Sequence, residues 1–179
     1  MLPAPSRRCT ADEVNHPYHR RLIDALPGDD CLGVLRRQRP TLHDLASSIS
    51  TDQVDQVHAP YQWSVRQVFV HLAEAERVFG DRMLRVAAGD PAPLAGWDEN
   101  AYATARYGLG NFDRIVAELD HLRQANLMLL DRLAPRCWDQ IGQLDAQPVT
   151  LRVLAWFLPA HFHHHLEIIR RRVERDAPA

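Results

Sequence analysis

The sequence predicts an all-α protein built as a four-helix bundle, and three observations carry that expectation. Four long stretches repeat apolar residues at three- and four-residue steps, which places those residues on one face of a helix. Helix start signals stand at the head of these stretches, and proline, glycine or polar loops separate them. No stretch alternates apolar and polar residues over a useful strand length, and there is no internal repeat or low-complexity tract. Four amphipathic helices bury their stripes most simply against one another.

Residues 1–28 are rich in proline, histidine and arginine, with one short apolar run from Leu22 to Leu26, and read as a loosely attached N-terminal arm holding one helical turn. The bundle domain is expected over residues 29–176. Asp29-Asp30, after Pro27-Gly28, signals the first helix, along which Leu32, Leu35, Leu42, Leu45 and Ile49 keep helical spacing. Pro40 should bend it, because proline removes a backbone donor and crowds the preceding turn. After a polar linker, Ser64 caps a second helix to about Ala88, with Val65, Val68, Leu72, Ala75, Phe79 and Met83 inward. Gly89 to Gly110 forms a long connection between helices two and three, interrupted by a short helix around Ala101 to Tyr107; connections this long are often functional. Asn111 caps a third helix, with Phe112, Ile115, Leu119, Leu122, Leu129 and Leu133 inward, and Pro135 ends it. Beyond a second polar loop Thr150 caps the fourth helix, whose stripe is Leu151, Leu154, Leu158, His161, His165, Ile168 and Arg172. Arg170, Arg171, Arg172 and Arg175 suit the negative pole of that helix and read as a solvated terminus.

Composition narrows the function classes. At 179 residues the chain is long enough for one domain with its own core, and 46% hydrophobic with 25% charged residues is ordinary for a globular protein. A net charge of -2 makes no case for a nucleic-acid partner. All 21 basic residues are arginine, which excludes Schiff-base and P-loop lysines. Cys9, Cys31 and Cys137 form no CxxC pair, so neither a disulfide framework nor a zinc-thiolate site is expected. The N-terminus lacks the apolar core of a signal peptide, and no stretch approaches the about 18 apolar residues of a membrane span. A soluble, cytoplasmic protein without a membrane partner is therefore expected. Gly108-Leu109-Gly110 lacks the third glycine and preceding strand of a dinucleotide site, no GxSxG elbow is present, and Cys137 has no sequence-evident base.

The chemistry lies in the histidines. His161 and His165 stand one turn apart where aliphatic residues are expected, at a spacing that lets two imidazoles converge on one divalent ion. Buried imidazoles need partners for both ring nitrogens, and a metal shared with a third histidine, His71 on the second helix, supplies one. Three histidines leave coordination positions open, the arrangement of a catalytic rather than a closed structural site. His163 and His164 point to other faces, although His164 at three residues from His161 is an alternative pairing, and a tract that merely scavenges metal is the wider alternative. Pro159 denies a backbone donor to the Ala155 carbonyl and should kink the fourth helix beside the ligands. Glu74, one turn beyond His71, is a candidate general base, fourth ligand or partner that orients an imidazole, with an ion pair as the competing role.

The stretches Tyr61-Gln62-Trp63-Ser64-Val65-Arg66-Gln67-Val68-Phe69-Val70-His71-Leu72-Ala73-Glu74-Ala75-Glu76-Arg77-Val78-Phe79, Gly96-Trp97-Asp98-Glu99-Asn100-Ala101-Tyr102 and Ala160-His161-Phe162-His163-His164-His165 together resemble the DinB/YfiT superfamily of metal-binding four-helix proteins. The resemblance implies a three-histidine site of His71, His161 and His165 holding zinc or nickel, with iron or manganese as other candidates. Where related chains often read Gly-His-Glu, this one has Ala160-His161-Phe162, so it has no acidic neighbour there. Some members resemble thiol S-transferases, which use the ion to hold a low-molecular-weight thiol for attack on an electrophile, and others metal-dependent hydrolases. The first expectation is accordingly such a transferase, with a small-molecule substrate entering beside the ion and Trp97 and Tyr102 of the long connection as apolar walls. A hydrolase in which Glu74 takes a proton from water is the second, and a non-enzymatic, stress-related metal-binding protein the third. A homodimer is also implied by the resemblance.

Overall fold

The computed structural model describes residues 5–105 and 109–175. Along the described chain run α1 (Pro17–Ala25), α2 (Cys31–Ser48), α3 (Thr51–Val54), α4 (Val65–Ala87), α5 (Glu99–Ala105), α6 (Phe112–Asp131), a 3-10 turn (Pro135–Asp139), strands β1 (Ile141–Leu144) and β2 (Gln147–Thr150), and α7 (Leu151–Arg175). Part of the expected short helix to Tyr107, Gly108 of the expected turn, and the domain end at Asp176 lie outside the described residues.

The long helices α2, α4, α6 and α7 form the four-helix bundle, and each begins where its side chains satisfy free N–H groups. Asp30 accepts from the Gly33 amide at 3.0 Å. Ser64 and Gln67 cap each other reciprocally at 3.3 and 2.9 Å. Asn111 accepts from the Arg114 amide at 3.1 Å, and Thr150 from Val153 at 3.2 Å. Around the bundle the order is α2, α6, α4, α7, because α2 and α4 each pack against both α6 and α7. The first two bundle helices in the chain, α2 and α4, therefore stand diagonally.

The apolar core is divided in two. One half gathers Leu35, Phe79, Met83, Leu130 and Leu154, the other Leu42, Phe69, Leu72, Leu119 and Ile169. Between them lies a layer of buried polar side chains, with Gln38 from α2, His71 and Glu76 from α4, Arg123 and Asn126 from α6 and His161 from α7. The Arg123 guanidinium bonds to Glu76 at 2.5 Å and to Gln38 at 2.6 Å. Asn126 donates to the Glu76 carboxylate at 2.7 Å, and Gln38 donates to the Pro159 carbonyl at 2.8 Å. One hydrogen-bonded network thus ties all four bundle helices together. The Ala155 carbonyl, which Pro159 leaves without its helical donor, accepts from the Cys31 thiol at 3.3 Å. Gly80 permits the close approach of α4 to α6: a Cβ there would stand 2.4 Å from the Asn126 side-chain oxygen.

Three features differ from the sequence reading. The expected N-terminal arm packs firmly: Val14, Leu22, Ile23 and Leu26 are buried in the core, α1 lies on α7, and Trp156 donates to the Arg7 carbonyl at 2.7 Å. Its short amphipathic run finds the outer face of α7, which a local reading cannot see. The second polar loop contains a hairpin, with Leu144 paired to Gln147 and Asp145 and Ala146 at φ 50° and 60° in a two-residue turn. Strands of four residues are too short to leave a periodic signal. Arg172 is buried, not solvated: it donates to the Trp63 carbonyl at 2.6 Å and lies over the Tyr61 ring. The linker before α4 folds back over the end of α7 and covers it.

Candidate metal centre

His71 projects from the second turn of α4, and His161 and His165 from successive turns of α7, the helix packed beside it. Their Nε2 atoms converge. His161 Nε2 lies 3.1 Å from Nε2 of His71 and 3.1 Å from that of His165, and one ligand atom from each of the three lies within 4.8 Å of the others. The rings meet edge to face at 67–74°, so they radiate around one point instead of stacking. A tetrahedral ion at about 2.05 Å from each nitrogen requires nitrogen–nitrogen separations of about 3.3 Å, close to the 3.1 Å that His161 keeps to each of the other two. Burial pushes the His71 pKa down to about 4. Burial, reinforced by neighbouring imidazoles, depresses those of His161 and His165 well below the ordinary value. All three are therefore neutral near pH 7, with lone pairs available to a cation. Among the described residues this is the group of His, Cys, Asp or Glu side chains placed to hold a metal, and its donors suit a divalent ion.

The centre opens on a cavity of about 300 Å³. Trp97 stacks on the His71 ring at 5.2 Å and 13°, Trp63 approaches it at 5.0 Å, and Phe157 lies against His161 at 5.4 Å. Trp97 is held there because the connection after α4 is strapped down. Leu94 is buried and donates to the Gln143 carbonyl of the hairpin at 2.7 Å, and Arg82 donates to Ala95 at 2.7 Å. Tyr102 stands outside the cavity: it is 48% exposed and meets the edge of Trp97 at 6.1 Å.

Glu74 is not brought to the centre. It lines a separate depression with Arg77, Arg114 and Glu118, and His71 Nδ1, which it was a candidate to orient, has no hydrogen-bond partner. At 100° per residue, three residues place Glu74 about 60° round the helix from His71, enough to turn it towards α6. Phe162, where an acidic residue often stands, is buried beneath the Arg123 guanidinium at 4.5 Å. His163 and His164 do not join the cluster. Residues from elsewhere complete the cavity: Tyr18 and His19 of α1, Arg82 of α4, Glu99 of α5 and Asp145 at the hairpin tip. His19 lies 4.1 Å from Phe157, and burial pushes its pKa down to about 4. Nothing in the spacing of the sequence joins α1 or the hairpin to the histidines. Cys9 and Cys31 offer no nucleophile, because burial pushes Cys9 up to about 12 and raises Cys31 well above its usual range.

The fold and the site together define a four-helix bundle protein with three histidines placed to hold a divalent metal and an adjoining aromatic cavity. The chain belongs to the DinB superfamily, whose family model matches residues 35–169. It is similar in structure to YfiT from Bacillus subtilis, described as a probable metal-dependent hydrolase with an unusual four-helix bundle topology. The TM-score is 0.74 at 19% identity, covering 96% of this chain and 97% of that one. It is also similar to the mycothiol-dependent maleylpyruvate isomerase, with a TM-score of 0.62 and 15% identity, covering 88% of this chain and 64% of that one. No curated protein matches the chain in sequence.

Proposed function

We propose that the protein is a metal-dependent enzyme that brings a low-molecular-weight thiol to an electrophilic small molecule. The observation that carries this reading is the convergence of three neutral imidazoles on one wall of a cavity large enough for a small molecule. A divalent ion held there, most simply zinc or nickel, supplies Lewis-acid charge that lowers the pKa of a coordinated thiol or water. His71, His161 and His165 hold the ion from one side and leave the cavity side open to ligands. Trp63, Trp97 and Phe157 wall the electrophile and exclude bulk water. In the transfer, a carbon–sulfur bond forms as the leaving group departs with its electron pair, and the thiol proton passes to solvent. A free thiol titrates near pH 8.5, so it ionises at neutral pH with modest help and needs no carboxylate base.

The similarity to YfiT supports a second reading, hydrolysis with water as nucleophile. Water is a much weaker acid than a thiol, and Glu74, the base that reading assigned, faces another depression. The thiol reading is therefore preferred.

Metal analysis of purified wild type and His71→Ala, followed by assay of metal-loaded protein with a chlorodinitrobenzene electrophile and a panel of thiols including mycothiol, tests both. Near-stoichiometric metal lost in His71→Ala, with thiol-dependent conjugation, is expected. Turnover of esters or amides without thiol would replace the first reading with the second.

A further inference from the structure

Among the described residues four arginines are more than nine-tenths buried: Arg82, Arg123, Arg152 and Arg172. Three make two or more side-chain bonds each. Arg123 bonds to Glu76 and Gln38, Arg152 pairs with Glu13 and Asp139, and Arg172 donates to the Gln56 and Trp63 carbonyls. Arg82, 6% exposed, makes one hydrogen bond among the described residues, to the Ala95 carbonyl, and no ion pair. It lines the same cavity as the three histidines. Its guanidinium lies 5.0 Å over the Phe79 ring, another cavity wall, so one face is packed while the edge keeps donors to spare. A cation taken out of water without a directly bonded counter-charge is unfavourable, and burial pushes the Arg82 pKa down, opposed only in part by the Asp145 and Asp81 carboxylates, neither of which forms an ion pair with it.

We infer that Arg82 is the anchor for a carboxylate carried by the small-molecule substrate, so that the cavity selects organic acids with an apolar body. The inference rests on the proposal that this cavity is where substrate binds. A guanidinium edge matches a carboxylate with two parallel N–H to oxygen bonds, and Trp63, Trp97 and Phe157 suit the rest of such a molecule. Glu99 and Asp145 also line the cavity, but both are exposed and neither pairs with Arg82. Their charges oppose a phosphate dianion more strongly than a carboxylate monoanion, which favours the organic acid.

Binding of benzoate, benzamide and inorganic phosphate is measured by ligand-detected magnetic resonance on full-length protein of known metal content, and again after chelation. Wild type should bind benzoate about tenfold or more tightly than benzamide, the effect of one charge-assisted pair. Arg82→Gln, which keeps a donor for the Ala95 carbonyl but loses the charge, should reduce that preference to about twofold or less with metal content unchanged. Arg82→Lys should keep only part of it and decides the matter if Arg82→Gln does not fold. An unaltered preference in either variant, no preference in wild type, or tighter Arg82-dependent binding of phosphate overturns the inference. An Arg82-dependent preference in protein that binds no ion at its histidines would sink the metal reading and leave this one standing. Bound metal with no such preference would do the reverse.

Discussion

Glu76 and Glu74, two residues apart on α4, meet different fates and give opposite expectations. Glu76 is 2% exposed and is the only carboxylate in the buried network described above, whose cation Arg123 is 3% exposed. Its removal strands that guanidinium, so Glu76→Ala should destabilise the protein by about 3–5 kcal/mol, read from urea denaturation midpoints at unchanged slope. Glu74→Ala should leave the metal content of the purified protein unchanged, because Glu74 lies apart from the histidines; a lost ion would return it to the centre. Glu13 gives the pH dependence. Partial burial raises its pKa, but bonds from Arg7, Thr10 and Arg152 outweigh that and hold it at about 2, below its ordinary 4.5. A depressed carboxyl stabilises the fold above its unfolded value and loses that contribution as pH falls through the folded one. The stability difference between wild type and Glu13→Gln should therefore be constant above about pH 5.5 and shrink as pH falls from 4.5 towards about 2.

At the scale of elements, α7 carries the site because two of its features are local and one is not. Helical periodicity alone stacks His161 over His165. The proline two residues before His161 frees the Ala155 carbonyl, which Cys31 occupies, while Gln38 holds the Pro159 carbonyl, so α2 supports α7 beneath the ligands. The hairpin before α7 anchors the strap that bears Trp97. Its turn places Ala146 at φ 60°, a conformation that costs an alanine about 1–2 kcal/mol and a glycine little. Ala146→Gly should therefore stabilise the protein by about 0.5–1 kcal/mol in denaturant titrations, with metal content unchanged.

At the scale of the whole molecule, the polar layer that splits the core explains how a cluster of three histidines sits inside a bundle. The histidines occupy one side of a stratum already made polar by Gln38, Glu76, Arg123 and Asn126, so no apolar packing is broken to admit them. Because the donors come from two helices, an ion held by them would bind the folded chain and not the unfolded one. Metal at a hundredfold excess over its Kd should stabilise by about 2.7 kcal/mol, raising Tm by about 5–10 °C, and His71→Ala should abolish the shift. A Tm indifferent to chelator in wild type would count against the shared site. No helix among the described residues is long and apolar enough to cross a membrane.

The four long helices, their caps and the pairing of His161 with His165 were legible in the sequence, because each depends on residues within a few positions of one another. The need of buried imidazoles for partners suggested His71 as the third donor and the family resemblance implied it, and the fold brings it to them. Tertiary structure alone decided that Glu74 faces away, that Arg172 is buried, that the N-terminal segment packs on α7, and that Arg82 and His19 enter the cavity. Helical spacing gives the angle of a side chain about its own axis. It does not say which neighbour stands there, and that neighbour determines whether a charge is solvated, paired or left to wait for a ligand.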